Sequence, residues 1–215
     1  MTRKFKVWFF GLALTALLAC VSVAWIDRPI AMLVHDAFGP WHFPPEVASS
    51  PGLSIPLLSA VVFVILGLSA ILERHFSKLE WTIVLCNISV LAAEAIKNQL
   101  KYAFGRTWPD SWGPQIMSLI RDNVYGFHFF HSGQSYESFP SGHAAIVAAL
   151  MTVLWASFPK ARVAYAICIG AADVGLVLLN LHFVSDVIAG TFVGVSAGFF
   201  TITLWTSGIG KYSGE

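Results

Sequence analysis

Residues 163–206 read VAYAICIGAADVGLVLLNLHFVSDVIAGTFVGVSAGFFTITLWT. Two apolar runs lie here, Val163–Leu181 and Val184–Thr206, each long enough to cross a bilayer as a helix, which takes roughly 20 residues. Only His182 and Phe183 separate them, which forces a tight helical hairpin. Outward from it, four more segments have comparable length and apolarity: Phe5–Ile26, Gly52–Leu72, Trp81–Phe104 and Ser141–Phe158. Together they predict an all-α, six-transmembrane helical bundle. No repeat, low-complexity tract or linker interrupts the chain, so 1–215 reads as a single integral membrane domain.

Composition points the same way. Of 215 residues, 56% are hydrophobic and only 12% charged, against about 25% charged in a typical soluble domain; the mean hydropathy is +0.70. A water-soluble enzyme could not cover its surface with so few charges, and a disordered chain needs the opposite balance. Lys and Arg total 13 against 12 acidic residues, so there is no basic excess to neutralise phosphates and no nucleic-acid partner is expected. Cys20, Cys86 and Cys168 sit inside apolar runs with neither metal-ligand nor disulfide-scaffold spacing.

Charge placement predicts the orientation. With six spans, Arg3, Lys4, Lys6, Arg74, Lys78, Lys160, Arg162 and Lys211 fall on one side, which predicts both termini cytoplasmic. Arg28, Lys97, Lys101, Arg106 and Arg121 fall on the other. The Asp27–Pro51 connection, rich in Pro, His and aromatic residues including Trp41, is expected to lie along the interface. Basic residues before an apolar run also resemble a signal peptide, and Leu17-Leu18-Ala19-Cys20 resembles a lipoprotein cleavage site. The apolar run continues through Val21–Ile26, where a cleaved leader turns polar, so the segment is read as a retained span.

An ionisable group inside a span costs several kcal/mol unless it is paired or functional. Here the polar groups concentrate in Glu94–Asp110, Tyr136–His143 and Asn180–Asp186, all on one predicted membrane face. His182 and Asp186 are four residues apart and share a helical face. A carboxylate beside an imidazole fixes its tautomer and prepares the other ring nitrogen to attack an electrophile or to bind a metal; the same pair also suits an interfacial His beside a helix-start Asp. In Phe139-Pro140-Ser141-Gly142-His143, a Pro precedes a Ser-capped helix start, a natural anion site, with His143 in its first turn. Lys97 follows Glu94 by three residues and reads as its ion-pair partner, whereas Lys101 has no local partner and either snorkels or holds an anion. Arg106 follows Gly105 and carries the planar fork that suits phosphate.

In this order and spacing the clusters resemble the type 2 phosphatidic acid phosphatase superfamily. Its signature runs Lys, six residues, Arg-Pro; then Pro-Ser-Gly-His; then Ser-Arg, five residues, His, three residues, Asp. Pro140-Ser141-Gly142-His143 matches the second part, His182 and Asp186 the end of the third, and Lys101 and Pro109 the outer positions of the first. Two positions depart: Trp108 stands where the first motif has Arg, and Gly175-Leu176 stand where the third has Ser-Arg. Arg106, two residues before Trp108, is expected to take over one lost phosphate contact, and Asn180 offers a neutral donor for the other.

The resemblance implies a six-span membrane phosphatase acting on a lipid phosphate or pyrophosphate, of the phosphatidate, phosphatidylglycerol phosphate, prenyl pyrophosphate or lipid A type. It implies that His182 attacks phosphorus, Asp186 orients His182, and His143 protonates the leaving oxygen and then activates water. Lys101, Arg106, Ser141 and Gly142 would offset charge on the phosphoryl oxygens. This scheme requires no metal and no cofactor; its partners are the lipid substrate and the bilayer. A bacterial inner membrane with the site on the outer face fits a chain of this size. The long connection from Gly105 to Pro140, with Trp108, Trp112, Tyr125 and Phe127-His128-Phe129-Phe130-His131, suits the interface. The alternatives are a lipid-phosphate binder or transporter, a lipid phosphotransferase, or a metal enzyme using His143, His182 and Asp186 as ligands.

Overall fold

A backbone without water must satisfy its own hydrogen bonds, and helices do so within one segment. The structure, a computed structural model, describes residues 3–39, 51–72, 76–111 and 113–208, and among them there is no strand. The helices are α1 (Arg3–Val21), α2 (Asp27–Phe38), α3 (Pro51–Ile71), α4 (Lys78–Phe104), the short α5 (Leu119–Asp122), α6 (Gly142–Ser157), α7 (Arg162–Leu178) and α8 (Val184–Ser207). The expectations placed on Trp41, Arg74, Trp112 and Lys211 lie outside the described residues.

Among the described residues four helical stretches are long and apolar enough to cross a membrane: Arg3–Phe38, Lys78–Phe104, Pro159–Leu178 and Val184–Ser207. Leu58–Ser69 and Gly142–Ser157 are shorter apolar helices. Large apolar side chains face outward along these elements, among them Val7, Phe10, Leu17, Ile65, Val163 and Ile167. Such surface is inside-out for water and right for lipid.

The first stretch differs from the sequence expectation. The helix does not end at Ile26 but runs on to Phe38 through a π-helical turn, Ser22–Ile26, in which Asp27 N–H donates to Ser22 O. Asp27, expected to begin an interfacial connection, is instead a buried residue of α2. Tyr125 Oη donates to the Val23 carbonyl at 2.8 Å, meeting a group that the wider turn displaces.

Helix ends are set by local chemistry. Ser77 opens α4 through a capping box with Glu80, and Gly105 closes it at φ 55°. No other residue fits there, because a Cβ would lie 1.8 Å from His128 O as well as in a left-handed backbone. Ser141 caps α6, accepting from Ala144 N at 3.3 Å.

α6 and α8 form the closest pair, with α4 packed on both, α1 and α7 against α8 and α6, and α3 against α4. Gly190, Gly194 and Gly198 form a stripe on α8 that lets the α6 backbone approach. Phe5 packs on Phe200 and Trp8 on Phe192, so α1 runs antiparallel to α8 and starts at the end of the bundle away from Asp186. A Cβ on Gly194 would lie 2.1 Å from Ala145 O and 2.7 Å from Ala149 N, whereas one on Gly170 meets nothing within 4 Å. Gly194→Ala is therefore expected to cost about 1–3 kcal/mol by forcing the helices apart, and Gly170→Ala to stay within about 0.5 kcal/mol of the parent; unfolding in detergent micelles measures both.

Candidate active site

Three helix ends meet at one end of the bundle: the last turns of α4 and the first turns of α6 and α8. From α4 come Lys97 and Lys101, one turn apart. Lys97 is buried, with Nζ 3.0 Å from Glu94 Oε1. A Cβ on Gly142 would fall 3.0 Å from the same Nζ, so the ammonium rests on the bare start of α6, whose first N–H groups have no intrahelical acceptor. Lys101 places its Nζ 5.8 Å from the centre of the Trp108 indole. That indole lies against the His182 ring, centroids 5.1 Å apart.

His143, in the first turn of α6, stands with its ring centroid 6.3 Å from that of His182, the planes inclined at 62°. His182 occupies the turn between α7 and α8, is 3% exposed, and donates its backbone N–H to Leu176 O at 3.2 Å. Its Nδ1 is 3.6 Å from Asp186 Oδ2, beyond hydrogen-bond distance, and has no hydrogen-bond partner among the described residues. Burial holds the His182 imidazole below its ordinary range, against the opposing pull of Asp186. In its neutral form the ring keeps an in-plane lone pair for an electrophile.

Asp186 is fully buried and satisfied at both oxygens. Oδ2 accepts from Ser138 Oγ at 2.6 Å and from Phe183 N at 3.0 Å. Oδ1 accepts from Arg106 Nη1 at 2.7 Å. The Asp186 backbone carbonyl accepts from Ser141 N at 3.0 Å, tying the start of α8 to the cap of α6. Ser141 is itself fully buried, with its Oγ engaged by the cap.

Arg106 stands elsewhere than expected. Its side chain has no exposed surface, and its charge is taken by two carboxylates: Nη2 donates to Asp27 Oδ2 and Nη1 to Asp186 Oδ1, both at 2.7 Å. Tyr125 Oη, at 3.1 Å from Nη2, and Ser185 Oγ complete its partners. The rings of Phe183, Phe127 and Tyr125 enclose the guanidinium at 4.4, 4.8 and 5.4 Å. Both Nη atoms of Arg106, the residue expected to replace a missing arginine, are thus taken by protein groups, while its buried Nε has no hydrogen-bond partner among the described residues. Asn180 is likewise engaged, donating to Ala31 O at 3.0 Å. Trp108 donates to Gln134 O at 2.6 Å, and Leu176 packs with Ala144 and Val187. Asp173 accepts from Thr191 Oγ1 at 2.8 Å, joining α7 to α8.

Asp27, Tyr125, Ser138 and Ser185 were not singled out from the sequence as site residues, and Lys97 was read only as an ion-pair partner. Asp27 carried one signal, an ionisable residue ending an apolar run. Its partners lie 79 and 158 residues away, beyond any local pattern.

The features define a class: a helical integral membrane protein that gathers two histidines, a carboxylate and two lysines at one end of its bundle. The family model of the PAP2 superfamily matches residues 81–208, more than half of the sequence. The chain belongs to that family. A lipid A 1-phosphatase from Rhizobium etli is 33% identical over 114 residues, covering 53% of this chain and 45% of that protein. A second, from Rhizobium johnstonii, is 34% identical over 106 residues, covering 49% and 41%. The chain thus aligns with less than half the length of either curated relative. The crystal structure of a transmembrane PAP2-type phosphatidylglycerolphosphate phosphatase from Bacillus subtilis shares the fold, with a TM-score of 0.51, 20% identity, and coverage of 96% of this chain and 98% of that one.

Ser138 supplies the shortest contact to Asp186 Oδ2. Ser138→Ala is expected to remove about 1.5–3 kcal/mol of stability, as for a lost hydrogen bond to a charged group; the loss is read from unfolding in detergent.

Proposed function

We propose that the chain is a membrane-embedded phosphatase that hydrolyses a lipid phosphate or pyrophosphate through a phosphohistidine intermediate. The observation that carries this reading is the pair of imidazoles, 6.3 Å apart between ring centroids, at a helix end that also holds Lys97 and Lys101. A phosphoryl group placed between the rings meets a nucleophile on one side and a proton donor on the other. Family membership and the names of the two rhizobial relatives support the substrate class.

In the first step the His182 lone pair forms a bond to phosphorus, the bond from phosphorus to the lipid oxygen breaks, and His143 delivers a proton to that oxygen. In the second, water attacks the phosphoryl group as His143 takes its proton. The N–P bond breaks and inorganic phosphate leaves. Asp186 orients His182 and offsets the positive charge of the phosphorylated ring. Lys101, Lys97 and the amides of the Ser141-Gly142 helix start meet the phosphoryl oxygens in place of Arg106.

The same reading gives six spans, with both termini cytoplasmic and the site at the periplasmic face of a bacterial inner membrane. The distribution of Lys and Arg supports it: Arg3, Lys4, Lys6, Lys78, Lys160 and Arg162 lie at the end of the bundle away from the histidines. A headgroup then reaches the histidines while its chains stay in the bilayer.

Purified protein is expected to release phosphate from lipid A, phosphatidate, phosphatidylglycerol phosphate or prenyl pyrophosphate in mixed micelles. His182→Ala should abolish release, and His143→Ala should lower it by about 10²–10⁴-fold, as for loss of a general acid–base group. Full release by folded His182→Ala, or lipid binding without turnover by the parent, overturns the reading.

A further inference from the structure

We propose that Asp27 is a positioning residue of this centre: it holds Arg106 against Asp186 and maintains a surplus of buried negative charge behind His182. This rests on the phosphatase reading above. Asp27 lies on α2, outside the residues matched to the family.

Asp27 is 1% exposed and makes two contacts with Ser185 besides its ion pair with the family region's Arg106. Its Oδ1 accepts from Ser185 N at 3.0 Å, and its Oδ2 from Ser185 Oγ at 2.5 Å and Arg106 Nη2 at 2.7 Å. Ser185 Oγ also meets Arg106 Nη1, so the serine bridges the carboxylate and the guanidinium. Ser185 immediately precedes Asp186, and Asp27 therefore fixes both the partner of Asp186 and the backbone turn that carries it.

Behind His182 the carboxylates outnumber the guanidinium, while Lys101 supplies a cation on the Trp108 side of the ring. Two buried carboxylates, Asp27 and Asp186, share one guanidinium, and three aromatic rings screen that guanidinium from solvent. An uncompensated buried charge is costly. The next ionisable ring beyond Asp186 is His182, at 3.6 Å, which becomes cationic when phosphorylated. The positive charge that develops on the ring thus faces Asp186, an interaction that strengthens along the reaction and so accelerates it. Without the Asp27 charge, Arg106 would neutralise Asp186 alone, and the pull on His182 would fall.

This predicts a defect in turnover rather than in binding, because Asp27 lies behind the histidine and not at the lysine side of the site. The wild type, Asp27→Asn and Ser185→Ala are compared as folded, detergent-solubilised full chains by phosphate release from one responsive lipid phosphate. Asp27→Asn is expected to lower kcat on the order of ten-fold or more, with KM within about two-fold. Ser185→Ala removes the bridge but no charge; it is expected to lower kcat by about three-fold at unchanged KM, and it decides the matter if Asp27→Asn does not fold. A folded variant of either kind with wild-type kcat, or with its loss in KM, overturns the inference while leaving the phosphatase reading intact. Absence of release by the wild type on every lipid phosphate overturns both.

Discussion

A guanidinium placed where water cannot reach must find its partners in the protein, because stranding a buried charge costs several kcal/mol. Arg106 is such a group, and the elements around the site answer to it. Asp27 comes from the first helical stretch, Tyr125 from the long connection, and Ser185 and Asp186 from the start of α8. Meeting the two carboxylates at 2.7 Å and Tyr125 at 3.1 Å places α2, the connection and α8 together. Asp186 also sits in the first turn of α8, where the helix dipole favours an anion. Its position then fixes which edge of His182 faces a carboxylate and which is left for chemistry.

A second constraint acts on the distance between the histidines. His143 rides on α6 and His182 just precedes α8, so their separation follows from how closely those helices approach. The glycines at 190, 194 and 198 permit backbone contact that any Cβ would prevent. The Ser141 N–H to Asp186 carbonyl bond then registers the two helix starts. Small residues along α8 thereby help hold the two imidazoles 6.3 Å apart between ring centroids.

Much of this was legible from the sequence, for a physical reason. Lipid imposes long apolar helices, and polar groups inside such a chain stand out; the helical class, the hairpin at His182 and the convergence of residues 94–110, 136–143 and 180–186 follow from hydropathy and spacing. What stayed hidden depended on pairing across distance. Asp27 reads locally as the end of a span, because a carboxylate normally marks the exit from lipid; a partner 79 residues away makes it an interior residue and lets the helix run on to Phe38. Arg106 reads as a phosphate ligand because it is an arginine beside the first motif, and no local pattern reveals two carboxylates already on its fork. Gly190, Gly194 and Gly198 are four apart in the sequence, a visible spacing whose meaning depends on knowing that α6 lies against it.

The substitutions at Trp108 and Leu176 take on a consistent sense once Arg106 is placed. Two positions that are arginine in the signature this sequence resembles carry an indole and an aliphatic side chain here, and Arg106 is engaged by carboxylates. On the proposed reading, anion recognition at this helix end falls to Lys97, Lys101 and the amides that open α6. Ammonium groups are point charges without the bidentate geometry of a guanidinium, so they attract a phosphoryl group without dictating its rotation. Orientation must then come from the other side, where the indole of Trp108 walls His182 at 5.1 Å and the Asp186–Arg106–Asp27 chain fixes the ring from behind. Binding and alignment, which a pair of arginines would perform together, are on this reading divided between a lysine face and a carboxylate–guanidinium face.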